Sequence, residues 1–97
     1  MYLVERDLPG LTRDQFSAVR RAATEASARA AATGVPVRYL RGFFVPSEGR
    51  SLCLFEGPDA ESVRAVNVAA GVPLTRVIEA LEFTAPEMSV ATGSEFL

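Results

Sequence analysis

Two spacings of apolar residues alternate along this chain. Tyr2 to Arg6 is short and rich in β-formers, which predicts a first strand, and Pro9-Gly10 breaks it. Thr12-Arg13-Asp14-Gln15 then has the form of a capping box. Phe16, Val19, Ala23, Ala26 and Ala30 follow at three- and four-residue steps, so one apolar stripe predicts a helix that ends at Gly34 before Pro36. Val37 to Val45 and Ser51 to Glu56 read as the arms of a hairpin around Pro46-Ser47-Glu48-Gly49. Pro58-Asp59 opens a second helix with Asp59 as its cap, and Val63, Val66 and Ala70 form its inner stripe, with Asn67 on or beside it. Gly71 and Pro73 close that helix, and Arg76 to Phe83 reads as the last strand. The order strand, helix, hairpin, helix, strand predicts an α+β ferredoxin-like βαββαβ sandwich, a four-stranded antiparallel sheet with two helices on one face. It places one domain over residues 1–84 and a C-terminal tail, without periodicity, over 85–97.

A sheet with both helices on one side leaves its other face bare. That face is expected to carry Leu3, Val77 and Leu81, and monomers rarely expose a large apolar patch. A second copy applied face to face would cover it, so a homodimer with a cavity between the sheets is expected. Period-two alternation puts Glu5 with Leu3, Glu79 with Val77 and Leu81, and Tyr39 with Arg41 on one face of the hairpin. Glu5 and Glu79 would then come within cross-strand reach, where two carboxylates repel unless one is protonated, paired with Arg or bound to a cation. Tyr39 and Arg41 are the residues expected to balance them. Glu5, Tyr39, Arg41 and Glu79 are therefore the candidate ligand-binding residues, and no catalytic residue is assigned. The same four also fit a structural salt-bridge cluster.

Composition narrows the chemistry by exclusion. Ninety-seven residues at 48% hydrophobic and 23% charged suit one globular domain. A net charge of −2 gives no concentrated basic face, so no nucleic-acid partner is expected. The chain has no His, which excludes His-based triads, imidazole bases and His–carboxylate metal sites. Cys53 is the single Cys, so neither an internal disulfide nor a Cys-rich zinc site can form. Mid-strand between Leu52 and Leu54, it reads as core packing in preference to a reactive thiol. No cofactor and no metal-ligand set is expected. With neither a signal-peptide pattern nor an apolar run of membrane-spanning length, the expected location is the cytoplasm.

Several blocks in order resemble a known family. Tyr2-Leu3-Val4-Glu5-Arg6, Leu8-Pro9-Gly10, Phe44-Val45-Pro46, Leu52-Cys53-Leu54-Phe55-Glu56 and Ala70-Gly71-Val72-Pro73 are similar to a bacterial nickel-binding-protein-like family of unknown function. The resemblance spans most of Tyr2 to Glu82 and implies small ferredoxin-like homodimers. It transfers no metal ligand, because nickel favours nitrogen and sulfur donors that this chain largely lacks. Three functions stay open. The first is a dimeric protein binding a small molecule or a metal ion between its sheets. The second is a cofactor-free cyclase, isomerase or monooxygenase, with Glu5 or Glu79 as base and Tyr39 or Arg41 stabilising negative charge. The third is a structural or interaction protein with a filled interface.

Overall fold

The elements run β1 (Tyr2–Asp7), α1 (Arg13–Ala32), β2 (Arg38–Val45), β3 (Arg50–Glu56), α2 (Ala60–Ala69) and β4 (Arg76–Glu79) in a computed structural model that describes residues 1–86. The capping box forms as its residues predict. Thr12 Oγ1 accepts from the Gln15 amide at 3.1 Å, and Gln15 Oε1 accepts from the Thr12 amide at 2.9 Å. Asp59 caps α2 by accepting from the Ser62 amide at 2.7 Å.

The strands form one antiparallel sheet in the order β2-β3-β1-β4, the ferredoxin-like arrangement. Three cross-strand rows on its inner face carry the packing. They are Tyr2, Phe55 and Tyr39, then Val4, Cys53 and Gly42, then Arg6, Ser51 and Phe44. Val4, Cys53, Phe55 and Val63 are completely buried, with Phe16, Ala23, Ala26 and Val66 of the helices against them. Each fully buried Val or Phe contributes roughly 1.5–3 kcal/mol. Phe16 stacks on Phe44 with ring centroids 5.2 Å apart, and Tyr39 meets Phe55 edge-on at 5.3 Å.

Two departures from the expected strands have local causes. β4 ends at Glu79, four residues short of Phe83. Glu79 lies opposite Tyr2, the first residue of β1, and beyond it the Ala80 amide reaches Met1 carbonyl at 2.9 Å. β2 carries an irregularity between Tyr39 and Arg41, which opposes them to the adjacent residues Phe55 and Leu54. Leu40 is thus extra, and the side-chain alternation resets across it. The hairpin also needs its glycine. Gly49 has φ 61°, and a Cβ there would meet Pro9 Cα at 2.7 Å and Leu8 O at 2.9 Å. The expected tail falls almost wholly outside the described residues.

Candidate functional site

The outer face of the sheet brings charged and apolar groups together. Its rows are Arg41, Leu54, Leu3 and Ile78, then Phe43, Leu52, Glu5 and Arg76, then Val45, Arg50 and Asp7. Arg76, directly opposite Glu5, donates from Nε to Glu5 Oε1 at 2.6 Å. Arg50, on the diagonal, reaches Glu5 Oε2 from Nε at 2.9 Å and from Nη2 at 2.8 Å. Both oxygens are therefore occupied, and Glu5 retains only 5% exposure. The Arg76 hydrogen bond, opposed by desolvation and reinforced by Arg50, holds the Glu5 carboxyl below its ordinary value of 4.5. The bond to Glu5 likewise raises Arg50 further above its ordinary, already high value.

Beside this network the chain beyond β4 borders a recess. Leu3, Phe43, Leu54, Leu81 and Phe83 line it with Arg41, around a volume of about 340 Å³. Arg41 Nη2 and Glu82 Oε2 meet at its edge at 3.1 Å. Phe43, Leu81 and Phe83 are 56%, 79% and 86% exposed. A larger groove, about 450 Å³, runs between α1 and the start of β2, past Thr24, Ser27, Val37, Tyr39 and Glu56.

The inner face carries a different polar group. Arg6 is completely buried and donates from Nη2 to Asn67 Oδ1 at 2.6 Å, while Asn67 Nδ2 donates to Val63 carbonyl at 2.8 Å. Arg6 Nε and Nη1, Tyr39 OH and Ser51 Oγ are buried without a hydrogen-bond partner among the described residues. Burial raises the Cys53 thiol above its ordinary 9.0 and pushes Tyr39 up to about 12.

The four candidate residues do not meet. Glu5 and Arg41 share the outer face, but Glu5 is held by Arg50 and Arg76, and Arg41 by Glu82. Tyr39 lies on the inner face, because the bulge at Leu40 separates its alternation from that of Arg41. Glu79 lies opposite Tyr2 in the row beyond Val77–Val4, so it shares the inner side at an exposed strand end. The expected Glu5–Glu79 pair is thus corrected to Glu5–Arg76, and Ile78 takes the outer position expected for Val77. Arg50, Arg76 and the Arg6–Asn67 pair are not among those four candidates. The signal for the last was present: Arg6 alternates with the inward Val4, and Asn67 interrupts an apolar helix stripe.

Residues 2–80 match the family model described as nickel responsive protein SCO4226-like. The chain belongs to this family. The crystal structure of SCO4226 from Streptomyces coelicolor A3(2), a protein 25% identical, superposes with a TM-score of 0.72 over 86% of this chain and 98% of that one. Among curated proteins none matches. The SCO4226-like match confirms the expected family, and the superposition confirms the ferredoxin-like fold. A nickel site does not fit this member's residues. The chain has no His, its single thiol is buried, and both Glu5 oxygens are bonded to Arg. Among the described residues no three Cys, Asp or Glu side chains are grouped to hold a metal.

Proposed function

We propose that this SCO4226-like protein is a cytoplasmic homodimer that binds a small organic molecule between the outer sheet faces of its two copies. The observation that carries this reading is the 340 Å³ recess on that face, walled by Leu3, Leu54 and exposed Phe43, Leu81 and Phe83. Its size falls within the range of ligand pockets, roughly 300–1,000 Å³, and its apolar walls with few polar groups are typical of them. Clustered exposed apolar side chains also favour coverage by a second copy. Arg41, at the rim, supplies a cation for an acidic group on the ligand.

Binding is favoured over catalysis by the state of Glu5. A general base works best with a pKa near the working pH, and Glu5 is held low with its oxygens occupied. The family name speaks of nickel, yet this member's donor set favours an organic ligand. Native mass spectrometry of the untagged protein tests the proposal. A dimer carrying the mass of a small organic molecule is expected, unchanged by added nickel chloride. Phe43→Glu should return an empty monomer. A wild-type monomer without extra mass would overturn the reading, and so would a stoichiometric nickel adduct.

A further inference from the structure

The buried Arg6 side chain bears a charge that nothing described in the protein neutralises. It has 0% exposure, and among the described residues its one hydrogen bond is to a neutral amide and no carboxylate lies within ion-pair distance of it. A buried charge left without its partner is strongly destabilising. Guanidinium keeps its proton in proteins, so neutralisation by proton loss is closed to it.

The surroundings offer donors where an anion would need them. Ser51 is the direct cross-strand partner of Arg6, on the same face of the sheet, and its hydroxyl is buried and unpaired. Tyr39 runs along the same face from the row of Phe55 to that of Gly42 and Cys53. Its hydroxyl lies so close over Gly42 that a Cβ there would collide with it, and Phe16 closes the same spot at 3.1 Å. Glycine at 42 therefore makes room for the Tyr39 hydroxyl itself next to Cys53. We propose that Arg6 Nε and Nη1, with Ser51 Oγ and Tyr39 OH, form an internal site for one small monovalent anion, a halide or a small carboxylate.

The two ionisable groups that bear on Arg6 do not replace such an anion. Desolvation raises the Cys53 pKa, and Tyr39 is pushed up to about 12, so both are neutral at physiological pH. A water molecule would satisfy the donors but leave the charge uncompensated. The outer approach is basic as well: a groove of about 470 Å³ lined by Arg13, Ser17 and Arg20 ends on the stacked Phe16 and Phe44, and Phe44 is the cross-strand partner of Ser51 on β2. This site lies on the opposite side of the sheet from the proposed dimer cavity and does not depend on it.

The test uses the full chain, with bromide and formate as probes and gluconate, too large for the site, as the ionic-strength control. Thermal midpoints should rise with bromide or formate beyond the gluconate control, as binding to the folded state alone requires. A rise with bromide only would assign the site to halides, and with formate only to carboxylates. Arg6→Met should abolish the specific rise. Because that variant changes a buried charge, Ser51→Ala provides a second arm. It keeps the cation and should raise the bromide concentration for half-maximal effect about tenfold, as loss of one hydrogen bond to a charged partner predicts. A crystal grown in bromide should show an anomalous peak against Arg6 and Ser51. Equal midpoints in all three salts, an unaltered response in Ser51→Ala, or water without anomalous signal at that position would overturn the proposal.

Discussion

Glu5 and Arg6 are neighbours in the chain and opposites in circumstance. Glu5, on the outer face, is flanked by two cations that leave its carboxylate fully bonded. Arg6, on the inner face, meets a single neutral amide among the described residues, which leave two of its donors unpaired. The strand pleat alone separates them, since successive side chains point to opposite faces. What differs is the company each face keeps. The outer rows set Arg76 and Arg50 beside Glu5, while the inner rows set Ser51, Cys53 and Val4 beside Arg6. A charge on a strand is therefore judged by its cross-strand neighbours and not by its neighbours in sequence. The apolar residues divide the same way: the inner face buries Val4 and Phe55 completely, and the outer face leaves Phe43 56% exposed.

The largest expected effect contrasts two phenylalanines on adjacent strands. Phe55→Ala opens a cavity under α1 and α2 and should cost about 3–5 kcal/mol by urea denaturation. Phe43→Ala should cost below about 1 kcal/mol at low protein concentration, where its ring faces solvent. Raising the concentration should widen the Phe43→Ala deficit if two copies cover that face, because association then adds to apparent stability. A Phe43→Ala cost equal to that of Phe55→Ala in a dilute monomer would remove the distinction between the faces.

The same contrast explains what could be read from the residues themselves. Both helices and their caps were legible, because capping boxes, apolar stripes and terminal glycines are local signals acting over a few residues. The strand order followed from the order of elements. Register did not. The position of Glu79 depends on where β1 starts, and that of Tyr39 on an extra residue at Leu40. A one-residue shift transfers a side chain to the other face, so the alternation that grouped Tyr39 with Arg41 held on each side of Leu40 and failed across it. Glu5 was legible as an unusual strand residue, but its partners, 45 and 71 residues away in the chain, became visible only with the register. The Arg6–Asn67 pair was readable in principle, as two polar interruptions of two inward stripes.

A smaller effect follows from titrating Glu5. Its folded pKa lies below the ordinary 4.5, with the Arg76 hydrogen bond as the first cause, so the unfolded chain binds the proton more readily. Its contribution is thus fully present above 4.5 and is lost as pH falls through the folded value. Glu5→Gln should lower the urea midpoint near neutral pH, by less than Phe55→Ala, and the gap to wild type should close well below pH 4.5. A gap that persists undiminished in acid would mean that Glu5 acts through its packing and not through its charge. Arg76→Met should reproduce the pH dependence of Glu5→Gln in part, since Arg50 remains.

The smallest effect is expected where the outer face meets the chain beyond β4. Arg41 and Glu82 are 3.1 Å apart, with side chains 55% and 25% exposed, so water and salt screen most of their attraction. Arg41→Ala should cost less than about 1 kcal/mol, and that cost should shrink further in high salt. The measurement separates two descriptions of the residues that border the recess. A small, salt-sensitive loss of stability together with weaker retention of the bound molecule would place Arg41 at a ligand site that the fold does not need. A loss comparable to that of a core substitution would make Ala80 to Phe83 part of the folded core. The outer face would then be covered by its own chain, leaving a second copy little to enclose.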